Sequence, residues 1–305
     1  VGRYMDEQLV DDYVSLLVPF MLDEGITTAQ VEEINTFLQN PKAKTAVANA
    51  TRMGTDEVLA DMIAVIQRDM VTLLTDGTVN EVARGLIGTG TALGIVPCGS
   101  GNGLARHLCI SMKPVASVKW LNDIRILDMD YGLINGHPFF TTCGVGFDAA
   151  VSQKFSESHT RGAVKYIEKI LHELRQYHND TYSLAIDGEA VDMEAFLITC
   201  ANANQWGNGA FIAPSASVCD GLLDISAIPR FSAIDVPVLA YQLMNKQLEH
   251  NSRFFGRKCR ELVIRRSGEC VAHYDGDPVR LTGDICISVV PKGIRVAVPN
   301  DAKDL

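Results

Sequence analysis

What the chain lacks narrows its chemistry first. Its 305 residues contain no apolar run long enough to span a bilayer. Its eight cysteines form no Cys-x-x-Cys pair and its seven histidines no His-Glu-x-x-His spacing, so neither a thiolate zinc site nor a zinc hydrolase has support. Cys98, Cys109, Cys143, Cys200, Cys219, Cys259, Cys270 and Cys286 are spread singly, mostly in apolar stretches, which predicts reduced core thiols. Basic charge is scarce: 27 Lys and Arg against 37 Asp and Glu leave a net charge of −10. Sequence-independent nucleic-acid binding needs clustered cations and is disfavoured. The stretch "VGRYMDEQLVDD" (1–12) lacks the basic-then-apolar layout of a signal peptide, so a cytoplasmic location is expected.

What is present reads as ordinary globular protein, 47% apolar and 21% charged, long enough for two domains with separate cores. The acidity is uneven. Residues 1–100 hold 6 basic and 14 acidic side chains, residues 101–305 hold 21 and 23.

Strand-like and helix-like patterns alternate over the first 128 residues. "YVSLLVPF" (13–20), "KTAVANA" (44–50), "MVTLL" (70–74) and "ALGIVPC" (92–98) read as strands. "TTAQVEEINTFLQN" (27–40), "TDEVLADMIAVIQ" (55–67), "VNEVARGL" (79–86) and "NGLARHLC" (102–109) read as helices or helix starts. Alternation of this kind predicts an α/β lobe with a parallel sheet. From about residue 129 short strands dominate: 138–147, 181–187, 194–202, 222–228, 261–266, 270–279, 284–290 and 293–299. Gly, Asp-Gly and Pro punctuate them, which predicts antiparallel hairpins and a β-sandwich. One long helix, 161–177, interrupts the strands. The expected division is 1–128 and 129–305, with the extreme C-terminus free to return to the first lobe.

Two strand–helix turns carry the sharpest local chemistry. In "VPCGSGNGLARHL" (96–108) a strand runs into Gly99-Ser100-Gly101-Asn102-Gly103 and then a helix. Glycines permit close backbone approach, and a helix start offers free N–H groups to phosphate. No Gly-Lys-Ser/Thr follows, so this is not a Walker A loop, and the acid of a dinucleotide fingerprint is missing. "DGTVNEV" (76–82) repeats the geometry one unit earlier, with Asp76 at a strand end and Thr78 as a helix cap. In an open parallel sheet both turns lie at the carboxyl edge, where ligands bind. Asp220-Gly221 and Asp275-Gly276-Asp277, read alone, are hairpin turns.

Taken in order, DGT-x-N-E, VPxGSGN, GVGFDA (144–149), APxAxxxDGLLD (213–224) and DGDP (275–278) resemble the diacylglycerol kinase catalytic-domain family, which includes sphingosine kinases and bacterial lipid kinases. The resemblance runs from about residue 76 to 299. It implies an N-terminal α/β nucleotide lobe, similar to phosphofructokinases and NAD kinases, and a C-terminal antiparallel β-sandwich lobe that takes the lipid, with the active site in the cleft between them. It implies transfer of the ATP γ-phosphoryl group to a lipid hydroxyl with Mg2+, diacylglycerol being the expected lipid. By position, Asp76, Gly77, Thr78 and Asn80 fall on the family's first nucleotide motif, and Gly99, Ser100, Gly101 and Asn102 on its second phosphate turn. Asp275 and Asp277 match the Asp-Gly-Glu motif that supplies the proton acceptor, with Asp in place of Glu at 277, and Asp76 is a catalytic candidate with them, to bind Mg2+ or to sit beside the base. Asp220, with the carbonyls of Ser217 and Leu222, matches a structural Mg2+ site. Asp130 and Asp148 are further candidates, for the carboxylate network and for holding the acceptor. An NAD kinase or phosphofructokinase shares an Asp-Gly-Thr turn, but the two later motifs favour the lipid family.

The N-terminal 75 residues depart from the pattern. The family's first strand usually ends in Asn-Pro-x-Ser-Gly, whereas Val18, Met21 and Leu22 stand at its Asn, Ser and Gly positions, followed by Asp23 and Glu24. Leu74-Thr75 replaces the Gly-Gly before Asp76. Either side chain competes for space with phosphates, so weak ATP binding or none is expected, and the competing reading is an impaired relative that keeps the fold and binds lipid. The expected partner is a lipid at a membrane surface, reached by a cytoplasmic protein that associates peripherally, with no nucleic acid involved. Basic residues on the 161–177 helix and Arg253, Arg257, Lys258, Arg260, Arg265 and Arg266 are candidates for meeting anionic lipid. Oligomeric state stays open, a homodimer among the options.

Overall fold

A computed structural model describes residues 72–74, 79–97, 101–113, 116–117, 120, 123–156, 180–229, 231, 235–303 and 305. The elements expected over 13–67 and the helix expected over 161–177 lie outside these residues. The chain divides into two compact units, Val1–Leu127 with Arg295–Ala302, and Asp128–Ile294 with Lys303–Leu305.

In the first unit, strand β1 (Thr72–Leu74) precedes helix α1 (Val79–Leu86), strand β2 (Leu93–Ile95) and a short helix α2 (Gly103–His107). β1 and β2 pair in parallel, Thr72 opposite Leu93 and Leu74 opposite Ile95. A crossover helix between parallel strands is the arrangement that alternating patterns require. All three residues of β2 are buried, as expected of a strand covered on both faces. α1 turns Val79 and Ala83, one helical turn apart, to the buried side. The last residues of β14 (Ile285–Pro299) add to this sheet in parallel, Val296 opposite Leu93.

The second unit is built from two antiparallel sheets. One runs in the order β10 (Phe255–Cys259), β9 (Leu223–Ile228), β8 (Leu197–Ala201), β5 (Thr142–Gly146), β12 (Glu269–Tyr274), β13 (Asp277–Thr282). The other places the first half of β14 beside β11 (Glu261–Arg265), β6 (Asp180–Ile186) and β7 (Glu189–Ala195). β3 (Ile124–Ile134) pairs with β14 and with β4 (His137–Phe139). Val145, Ile198, Cys200 and Ile225 from the first sheet meet Tyr182, Leu184, Leu262 and Ile287 from the second in one buried cluster. The opposite face of the first sheet is covered too. Leu197 and Ala201 pack there with Phe147, which opens helix α3 (Phe147–Ser156), and with Leu239 of helix α4 (Val236–Met244). β8 is therefore buried at all five residues, which is why its sequence is apolar except at Thr199.

Five expected strands differ in extent; the run 270–279 is two strands, β12 and β13, joined by a turn at Asp275-Gly276. The run 138–147 splits into β4 and β5, because the N–H groups of Phe140 and Thr141 bond to a side chain instead of a neighbouring strand. The run 194–202 splits at Phe196, whose N–H bonds Ile228 as the chain passes from β7 to β8. The runs 284–290 and 293–299 form one strand, β14, which continues through Pro291-Lys292-Gly293 with Lys292 at a φ of 52°. β3, α3, α4 and β10 have no counterpart among the sequence expectations. Seven cysteines are described and none of these forms a disulfide, but only Cys143, Cys200 and Cys259 are buried; Cys109, Cys219 and Cys286 are exposed and Cys270 half-buried.

Candidate active site

Asp275 and Gly276 form the two-residue turn of the β12–β13 hairpin, in which Tyr274 lies opposite Asp277. Their φ values of 51° and 86° are those of the tight turn that matches strand twist, and Asp-Gly is the residue pair that adopts it at least cost. Asp275 does more than turn the chain. Its Oδ2 accepts the Phe140 N–H at 2.8 Å, and its Oδ1 accepts those of Thr141 at 2.7 Å and Thr142 at 3.2 Å. The Asp275 N–H in turn donates to the Thr142 carbonyl at 2.7 Å. The β4–β5 loop thus wraps the carboxylate and fixes it, while Asp277 opens β13 as an exposed residue.

Asn202 secures that loop from below. It is fully buried, and its Nδ2 donates to the Phe140 and Asp130 carbonyls, each at 2.9 Å. Its backbone N–H donates to the Thr141 carbonyl at 2.9 Å. Sequence reasoning missed this residue; the one available signal was an amide closing the apolar run "FLITCAN".

Asp130, on β3, is buried and spends its carboxylate on backbone. Oδ2 accepts the Gly221 N–H and Oδ1 the Lys292 N–H, both at 2.7 Å. It ties the Asp220-Gly221 turn to the kink of β14. Asp148, near the start of α3, is also buried. Its Oδ1 accepts the Ala149 N–H at 2.8 Å, and its Oδ2 accepts the Thr199 hydroxyl at 2.7 Å and faces His273 Nε2 at 3.0 Å. A Cβ at Gly144 would lie 2.5 Å from Asp148 Oδ2, so this glycine of the GVGFDA motif makes room for the cluster. His273 stands two residues before Asp275 on β12, and His273 and Thr199 were not singled out from sequence.

Asp220 meets a cation of the chain itself. Lys258 Nζ lies 2.9 Å from Asp220 Oδ2 and 2.9 Å from Asp224 Oδ2. Burial acts against the Lys258 ammonium, but the two carboxylates outweigh it and hold its pKa above the usual lysine value. Burial pushes the Asp224 carboxyl up, against the opposing pull of Lys258. Ser217 donates its hydroxyl to the Leu305 carbonyl, and the Leu222 N–H donates to Asp220 Oδ1 at 3.0 Å.

Of the expected nucleotide residues, Asp76, Gly77, Thr78, Gly99 and Ser100 lie outside the described residues. Asn80 is the second residue of α1. Gly101 and Asn102 lead into α2, with Asn102 buried and left-handed (φ 50°, ψ 41°), which turns the chain tightly from Gly101 into the helix. Four of the six basic residues at 253–266 are paired with acids: Arg253 with Asp235, Arg257 with Glu189, Lys258 as above, and Arg266 with Asp180.

Two family models match the chain. The diacylglycerol kinase catalytic domain matches residues 24–134, and the YegS C-terminal NAD kinase beta sandwich-like domain matches residues 141–298. A probable lipid kinase YegS-like protein of Pseudomonas aeruginosa is 28% identical over 228 residues, 73% of this chain and 74% of that protein. A diacylglycerol kinase of Mycobacterium tuberculosis is 33% identical over 159 residues, covering 50% of this chain and 52% of its own. An uncharacterised Synechocystis protein is 27% identical over 73% of this chain, which spans about half, 53%, of that relative's length. Two crystal structures from Bacillus anthracis share the fold, the first named "a putative diacylglycerol kinase" and the second a diacylglycerol kinase. One has a TM-score of 0.61 at 20% identity, covering 81% of this chain and 82% of that one, and the other 0.58 at 18% identity with 76% of each covered. The α/β elements, the antiparallel sandwich and both family matches agree: the chain belongs to the diacylglycerol kinase and YegS-like lipid kinase family.

Proposed function

We propose that this protein transfers the γ-phosphoryl group of ATP to the hydroxyl of a lipid, with diacylglycerol the favoured acceptor. The observation that carries this reading is the Asp275 hairpin, in which three successive backbone N–H groups immobilise one carboxylate and leave a second, Asp277, exposed beside it. Asp277 takes the proton of the lipid hydroxyl, the hydroxyl oxygen bonds to the γ-phosphorus, and the bridging oxygen leaves with ADP. Asp275 sets the position of the hairpin. The residues that would hold ATP are Asp76, Gly77, Thr78, Asn80 and the 99–102 turn, and the left-handed Asn102 supports a tight phosphate turn there. Mg2+ bound with the nucleotide would offset the polyphosphate charge. Peripheral contact with a membrane is part of this reading, because the acceptor is a lipid; among the described residues no helix is long and apolar enough to cross a membrane.

A second reading, a relative that keeps the fold and binds lipid with little phosphoryl transfer, is favoured by Val18, Met21, Leu22, Leu74 and Thr75 at the family's phosphate-loop positions. Labelled ATP, Mg2+ and diacylglycerol in mixed micelles separate the two. Phosphatidic acid that forms with wild type and is lost with Asp277→Asn is the expected result. No product at millimolar ATP, with lipid binding retained, overturns the first reading in favour of the second.

A further inference from the structure

We propose that Lys258 is the resident cation of the Asp220 turn and makes that turn independent of divalent metal. The resemblance assigns Mg2+ to Asp220 with the carbonyls of Ser217 and Leu222, and the residues present do not fit this. An ammonium has three N–H donors. Those of Lys258 reach Asp220 Oδ2 at 2.9 Å, Asp224 Oδ2 at 2.9 Å and the Ser215 carbonyl at 3.2 Å. The remaining oxygen of Asp220 is taken by the Leu222 N–H. The nearby acid Glu249 is engaged as well, by the Ser215 N–H and hydroxyl. A divalent ion at Asp220 would have to displace an ammonium already fully bonded, or sit beside it against like-charge repulsion.

The geometry also says what happens when the ammonium goes. Lys258, Asp224, Ser215 and Glu249 line a solvent-accessible cavity of about 370 Å3. Without Lys258, Asp220 and Asp224 would be two carboxylates left without their counter-ion, Asp224 facing a space wide enough for a hydrated ion. Two such carboxylates and a carbonyl form a hard-oxygen set of the kind that Mg2+, Mn2+ and Ca2+ prefer. Lys258 thus masks a latent metal site.

The test uses the full chain without nucleotide. Thermal melting is followed in Mg2+ and in EDTA, and Mn2+ binding is read by titration. Wild type is expected to melt at the same temperature in both, and Asp220→Asn is expected to bind Mn2+ no differently from wild type. Lys258→Gln is expected to melt several degrees lower in EDTA, to regain that loss in millimolar Mg2+, and to bind Mn2+ at least about tenfold more tightly than wild type. Adding Asp220→Asn to Lys258→Gln should erase the metal response. A wild-type melting temperature that rises with Mg2+ and ceases to do so in Asp220→Asn overturns the proposal, as does a folded Lys258→Gln protein indifferent to metal. Should Lys258→Gln fail to fold even with metal, the comparison of wild type with Asp220→Asn decides alone. None of these readouts depends on turnover.

Discussion

Asp275 and Asp277 are two residues apart in one turn, and their surroundings separate their contributions. Asp277 is exposed, so removing its charge touches little of the packing. Asp277→Asn is expected to lower kcat by about 10²–10⁴, the range typical of a lost general base, with a melting temperature near wild type. Asp277→Glu restores the family's residue and should keep or raise turnover in the same micelle assay. Asp275→Ala leaves three backbone donors without their acceptor, each partly buried. It is expected to cost about 1–3 kcal/mol of stability, read from urea unfolding, in addition to activity. Gly144→Ala probes the other carboxylate cluster. The new Cβ would stand 2.5 Å from Asp148 Oδ2 and 2.7 Å from the Ile198 carbonyl, and overpacking of that kind costs about 1–3 kcal/mol.

At the scale of elements, strands were legible where apolar periodicity sets them and illegible where a side chain or a change of sheet ends them. The "LGI" and "LITCA" runs became buried strands because both faces are covered. The break after Phe139 could not be read, since it depends on Asp275, 135 residues away, accepting the Phe140 N–H. Asp-Gly at 275–276 was legible as a turn, whereas the three bonds to its carboxylate, and Asn202 beneath them, are long-range facts that no local spacing encodes. Pairing also places the thiols: Cys143 of β5 lies opposite Cys200 of β8, and Cys259 closes β10 in the same sheet. Burial pushes the Cys143 thiol up, and for Cys200 and Cys259 hydrogen bonds within the thiol row come first and burial adds to them. Raised pKa values in the folded state mean that the unfolded chain loses these protons first as pH rises. The stability they contribute is complete below the ordinary thiol pKa and falls above it. Unfolding free energy should therefore slope downward as pH rises above the ordinary thiol value. Cys200→Ala should make that slope shallower by one thiol, as measured by urea unfolding at several pH values.

For the whole molecule, membership in the family and strength of activity rest on different stretches of chain. The family matches rest on residues 24–134 and 141–298, including a sandwich whose core is well formed. The proposed ATP use rests instead on the family's first nucleotide motif, before which Leu74-Thr75 stands in place of Gly-Gly. β-branched and bulky side chains disfavour the positive φ that glycine permits, and both are larger than the glycines they replace. Residues 1–100, with 6 basic against 14 acidic side chains, add a field that opposes a polyanion. Wild type is therefore expected to gain little melting temperature from millimolar Mg-ATP. Replacing Leu74 and Thr75 together by glycine should tighten Mg-ATP binding about tenfold, equivalent to ~1.4 kcal/mol, and produce a larger shift. A rise of several degrees in wild type at millimolar ATP would show instead that the altered turn accommodates the phosphates. Turnover should follow the same order, because a kinase whose nucleotide site limits it gains rate when ATP binds more tightly, while lipid binding stays as it was.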